Sequence, residues 1–176
     1  MKKIIFPIAI IAAMLLSAFT TLNSINWKIA DGYSIKFTSD DPSGGFSSMK
    51  GDISFDQNNL AGSKFNITID ANSLNTGNGM KNHKAKNEDW FNVDKYPTIK
   101  FTSSKISKTA NGYEVVGTLD MRGVQKQITI PFTFSNNTFA GSFNINRIDY
   151  GVGTDIGMSA HAANVLKVDV SVPVTQ

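Results

Sequence analysis

The chain has two histidines, His83 and His161, and no cysteine. A metal centre needs three or four nitrogen, sulfur or carboxylate ligands at short spacings. Glu88 and Asp89 stand near His83, but nothing around them has metal-ligand spacing, so no metal is assigned and both histidines are read as solvated. Nucleophilic catalysis lacks its signatures as well: serine and threonine abound, yet no Gly-x-Ser-x-Gly elbow and no His–acid pairing singles one out. Asp40 and Asp41 lie in a turn-rich stretch, Glu88 and Asp89 are adjacent rather than facing, and no glycine-rich phosphate loop follows a strand. Thiol chemistry is excluded outright. The residues point away from an enzyme and call for no cofactor.

One charge is placed where it needs an explanation. Counting by two from Phe143 through Ile145 puts Arg147 on an apolar face, and one further step puts Asp149 there too. An inward arginine is costly unless paired. Two readings stand: an Arg147–Asp149 ion pair at the end of a strand, or a guanidinium that meets a polar head group at the mouth of a cavity.

The elements that position these residues are strands. From Trp27 onward apolar and polar residues alternate with period two, as in half-buried strands. Ile35 and Phe37 share a face; so do Met49, Ile53 and Phe55, and then Phe65, Ile67 and Ile69. The pattern returns at Ile99 and Phe101, at Tyr113, Val115 and Leu119, and at Ile128, Ile130, Phe132 and Phe134. Phe139, Phe143 and Ile145 follow, and Leu166 to Val172 close the series. Asn111–Gly112 and Asn136–Asn137 mark tight turns. Pro131, on the polar face of its run, suggests an edge, a bulge or a strand end. This is an all-β chain of about eight strands, open to a sandwich or a barrel. Short sequential connections favour an antiparallel up-and-down β-barrel, which also removes exposed edges.

The main interruption is Gly77 to Phe101, with a helical pattern possible over Asn78 to Glu88 and an insertion centred on residues 77–91. Its Lys81, Lys84 and Lys86 read as a solvated face. Trp90 and Phe91 read as the apolar end of a lid, and Tyr96–Pro97 as its return to strand.

The N-terminus carries Lys2–Lys3, an apolar run from Ile4 to Leu16 and small residues Ser17 and Ala18, the order of a secretory signal over residues 1–18. The run is shorter than the ~20 residues a spanning helix needs, so no stable membrane insertion is expected after cleavage. Residues 19–176 form a single domain. Removing Lys2 and Lys3 leaves 15 of the 17 basic residues against 14 acidic ones, a net charge of about +1. That is no signature of a nucleic-acid partner. The expected location is periplasmic or secreted, with burial rather than disulfides holding the fold.

Three segments follow one another along the chain: Asp89-Trp90-Phe91-Asn92-Val93 with Tyr96-Pro97 and the strand Phe101-Thr102-Ser103; Gly117-Thr118-Leu119 with Gly123-Val124; and Arg147-Ile148-Asp149-Tyr150-Gly151. In that order they resemble segments of the YceI-like family of exported lipid-binding proteins, whose first segment usually reads Asp-Phe-Phe-Asp-Val, Tyr-Pro and Phe-x-Ser. Trp90, Asn92, Lys81–Asn82, His83–Lys84 and Arg122 depart from the usual residues, which bears on head-group preference. The resemblance implies an extended lipocalin-like barrel whose apolar lumen holds a long-chain amphiphile, a polyisoprenoid or a fatty-acid derivative, with no catalytic residues to carry over. The lumen candidates are Phe37, Phe65, Ile67, Ile69, Met80, Trp90, Phe91, Phe101, Leu119, Phe132, Phe143 and Arg147. An eight-stranded barrel is about the size at which side chains fill the interior or leave room for one small ligand. Both outcomes remain open at this point, the filled one being a structural or interaction domain.

Overall fold

The computed structural model describes residues 25–154 and 162–176. The expected signal segment and His161 lie outside the described residues. The chain runs through β1 (Asn26–Ile29), β2 (Ser34–Thr38), β3 (Gly44–Phe46), β4 (Met49–Ser54), β5 (Lys64–Asp70), β6 (Leu74–Asn75) and the helix α1 (Gly79–Lys86). The long strands β7 (Thr98–Thr109), β8 (Gly112–Met121), β9 (Val124–Ser135), β10 (Thr138–Asn146) and β11 (Val165–Thr175) follow.

The first six strands act as three interrupted ones. β11 pairs with β2 through Val168↔Phe37 and with β1 through Val174↔Ile29, so β1 and β2 are two stretches of one barrel stave. β3 and β4 together form the next stave, and β5 and β6 the one after. Counted so, eight antiparallel staves follow one another in chain order, and the β11 ladder to β1 and β2 closes the ring. The result is an eight-stranded closed up-and-down barrel with one short helix, which closure leaves without a long exposed edge.

Local chemistry explains the turns. Asn136 and Asn137 both have positive φ (48° and 53°), the backbone of a type I′ hairpin that asparagine tolerates. The β7–β8 hairpin closes with Thr109 opposite Gly112, one residue earlier than Asn111–Gly112 alone would place it. Within β7 the register shifts between Ser103 and Lys105, so that Phe101 and Ile106 both face inward although they are an odd step, five positions, apart. Pro131 lies inside β9 rather than at its end, opposite Glu114 of β8 and just past the last β9–β10 pair, Phe132↔Gly141. Its missing N–H therefore falls where no ladder bond is asked of it.

The interior has two halves. At one end Phe55, 1% exposed, is ringed by Phe65, Tyr113, Phe132, Phe134 and Phe139 at centroid distances of 5.2 to 6.1 Å. Most of these contacts are edge-to-face, the arrangement that aromatic quadrupoles favour. Trp27 closes this end, edge-on to Phe134 and donating its indole N–H to the Phe55 carbonyl. At the other end, beneath α1, the barrel is hollow.

Candidate functional site

The hollow end is a cavity of about 390 Å³, within the range of small-molecule sites. Its deep wall is aliphatic and aromatic: Ile35 and Phe37 of β2, Ile69 of β5, Ile99 of β7, Leu119 of β8, Phe143 of β10 and Val168 of β11. These are inward residues of the period-two pattern, brought to one level by the staggered registers of the staves. Closer to the mouth lie Phe46, Leu74, Met121, Ile145 and Leu166.

The segment from α1 to β7 covers the mouth. Asn78 caps α1 by accepting from the Lys81 N–H, and the helix ends at Lys86, two residues short of the Glu88 limit expected from sequence. Beyond it the chain folds back on itself, Phe91 N–H donating to Ala85 O and Tyr96 N–H to Asn92 O. Phe91 packs edge-on against Phe46 at 5.9 Å, and both line the cavity. The lid is tied to the barrel on two sides: Arg122 Nη2 donates to Glu88 O at 2.6 Å, and Gly153 N–H donates to Asp89 O at 2.9 Å.

Arg147 lines the cavity as expected, but without the ion pair to Asp149. It is buried at 3% exposure, and burial lowers its pKa from the ordinary arginine value. Its Nε donates to Ala163 O (2.9 Å), Nη1 to Val152 O (2.7 Å) and Gly153 O, and Nη2 to Ala162 O (3.0 Å) and Asn164 Oδ1 (3.1 Å). A guanidinium has five N–H groups, and each meets an acceptor here. The cation also lies 4.9 Å from the Trp90 ring centroid, within cation–π range. Arg147 is a clasp. It holds residues 152–153 to residues 162–164 and sets Trp90 over the mouth.

The expected Arg147–Asp149 pair does not form. β10 ends at Asn146, and residues 147–150 coil into a 3₁₀ turn, so period two stops predicting direction there. Asp149 turns outward to Asn146 Nδ2 (3.3 Å) and Lys126 Nζ (3.9 Å). Gly153, at φ 62°, completes the clasp: a Cβ there would sit 2.7 Å from Arg147 Nη1 and 2.9 Å from the Trp90 ring.

Of the twelve lumen candidates, Phe37, Ile69, Met80, Trp90, Phe91, Leu119, Phe143 and Arg147 line the cavity. Met80 does so only at the rim, 83% exposed. Phe65 and Phe132 belong to the aromatic plug, while Ile67 and Phe101 lie in the layer between plug and cavity. Asp41, read as part of a turn, and Lys81 and Lys84, read as a solvated face, also border the cavity. Lys81 pairs with Asp41 at 2.7 Å and Lys84 with Asp89 at 3.0 Å, all partly exposed. The lysines at positions 81 and 84, three apart on one helix, were the available signal. His83 is exposed on α1, and among the described residues no cluster suited to a metal ion occurs.

An apolar cavity with a charged rim inside an eight-stranded barrel is the geometry against which likeness to known proteins can be set. A family model described as YceI-like domain matches residues 21–175, nearly the whole barrel and its lid. The chain belongs to the YceI-like family. Among curated relatives, a UPF0312 protein of Yersinia enterocolitica is 30% identical over 133 residues, covering 70% of this chain and 69% of its own length. Among solved structures, BcnA of Burkholderia cenocepacia matches with a TM-score of 0.74 at 28% identity, over 82% of this YceI-like chain and 96% of BcnA. A polyisoprenoid-binding domain of Saccharophagus degradans, implicated in plant cell wall breakdown, matches at 0.60 and 20% identity, over 85% and 97% of the two chains. That last likeness is one of fold.

Proposed function

We propose that this YceI-like protein binds one long-chain amphiphile, a polyisoprenoid or a fatty-acid derivative, for carriage or sequestration, and that it is a binder rather than an enzyme. The observation that carries the reading is the cavity itself: about 390 Å³ of apolar space opening at a mouth where charge is concentrated. A chain entering it leaves water at about 0.8 kcal/mol per methylene. Its head group stays at the rim, beside Lys81, Asp41 and Lys84. Rim ion pairs at this exposure are worth about 0 to 1 kcal/mol, so a polar head displaces them at little cost. Arg147 has its N–H groups committed to the clasp, and so it acts on the ligand through Trp90. The polyisoprenoid-binding description of the Saccharophagus degradans domain supports the ligand class. The Lys2–Lys3 and apolar N-terminal run supports a periplasmic or secreted location.

Organic extraction of the protein purified from the cell envelope, followed by mass spectrometry, tests the reading, together with uptake of added prenyl and acyl lipids. The chain has two tryptophans, so Trp27→Phe leaves Trp90 as the reporter of cavity filling. The expected result is a co-purifying amphiphile and a shift in Trp90 emission on uptake. A lipid-free extract with no uptake of either lipid class would sink the proposal.

A further inference from the structure

The cavity stops part-way down the barrel, at an identifiable layer. One step inward from its deep wall, the staves carry Ile67 below Ile69, Phe101 below Ile99, Gly117 below Leu119, Gly141 below Phe143 and Val170 below Val168, and none of these five lines the cavity. Two glycines in one layer would leave the lumen open, but neighbours close on both. A Cβ on Gly117 would fall 2.5 Å from Cζ of Phe101, so the Phe101 ring occupies that side. On the other side a Cβ on Gly141 would meet the Pro131 carbonyl oxygen at 3.0 Å, with Ile130 Cγ2 and Phe132 Cβ in ordinary contact at 3.4 and 3.6 Å, so β9 borders that space. Behind this layer stands the aromatic plug, five rings packed around Phe55 at centroid distances of 5.2 to 6.1 Å.

The cavity of about 390 Å³ therefore has a floor. We infer that the protein selects its ligand by length, with Phe101 packed on Gly117 as the stop: a chain that reaches the floor buries no further carbons. This rests on the lipid-binding reading above and narrows it. A chain longer than the cavity leaves its surplus carbons in water, where they contribute nothing to affinity.

Calorimetric titration of the full folded protein with saturated fatty acids of about 8 to about 18 carbons, each below its micelle threshold, tests the stop, with farnesol and geranylgeraniol run in parallel. Affinity should rise by about fourfold per methylene until the chain reaches the floor and then level off within the series. Phe101→Ala opens the layer beneath the wall and should move the break to longer chains. Leu119→Trp fills the cavity from its wall and should move it to shorter ones. Circular dichroism selects the variants that fold, and Leu119→Trp decides if Phe101→Ala does not. Affinity that climbs without a break through about 18 carbons, or a break that stays put in a folded variant, overturns the length stop and leaves the lipid-binding reading standing. Failure of every acid and prenol to bind overturns both.

Discussion

Arg147→Lys keeps the charge and removes the geometry, so it isolates what the clasp contributes. The ammonium has three donors against the five N–H groups of the guanidinium. At least two of the acceptors on residues 152–153 and 162–164 then lose their partner in a site that is 3% exposed. A hydrogen bond to a charged group is worth about 1.5 to 3 kcal/mol, and the planar contact with Trp90 adds about 0.5 to 1 kcal/mol. The expected loss is about 4 kcal/mol. In urea, with a slope near 2 kcal/mol per molar, the unfolding midpoint falls by about 2 M at unchanged slope. Asp149→Asn is the control: its carboxylate is exposed and, among the described residues, is held by Lys126 and Asn146, so stability should stay within about 0.5 kcal/mol. An Arg147→Lys protein within about 1 kcal/mol of the parent would refute the clasp. So would an Arg147→Met protein that keeps its stability and loses only lipid uptake, since that is the behaviour of a head-group contact.

The two halves of the barrel should answer truncation differently. Phe55→Ala, at the centre of the plug, should cost about 3 to 5 kcal/mol, whereas Phe143→Ala, on a half-buried cavity wall, should cost about 1 to 2 kcal/mol, because less packing is lost; equal losses in chemical denaturation would contradict the hollow end. Tyr150, 2% exposed, has its pKa raised, first by burial and then by the nearby Asp149 charge. The folded value thus lies above the unfolded one near 10, so its contribution to stability is whole below about pH 10 and is lost as pH rises through the folded pKa. Thermal melts across the alkaline range should show this fall, and Tyr150→Phe should flatten it; an unchanged alkaline limb would count against the assignment.

Much of the fold could be read without coordinates. Alternation of apolar and polar residues from Trp27 to Val172 assigned the staves and their inward faces, because a strand puts successive side chains on opposite sides whatever surrounds it. The asparagine turns were legible for a similarly local reason: positive φ is tolerated by few residues. The Gly77–Phe101 segment was recognisable as a candidate lid because it broke the period, and the likeness of its Asp89–Phe101 part to one family supplied the proposed ligand class.

Tertiary structure decided the rest. Period two says which residues face inward but not at what depth residues from different staves meet, and that depth depends on register and on the shift in β7. Phe65 and Phe143 look alike in sequence, yet one belongs to the plug and the other to the cavity wall. The depth at which the lumen closes came from Phe101 lying in the space left by Gly117, a contact between neighbouring staves. Arg147 was visible as an inward charge, but its partners are mainly backbone carbonyls. Every residue carries a carbonyl, so only folding could show which of them converge on the guanidinium.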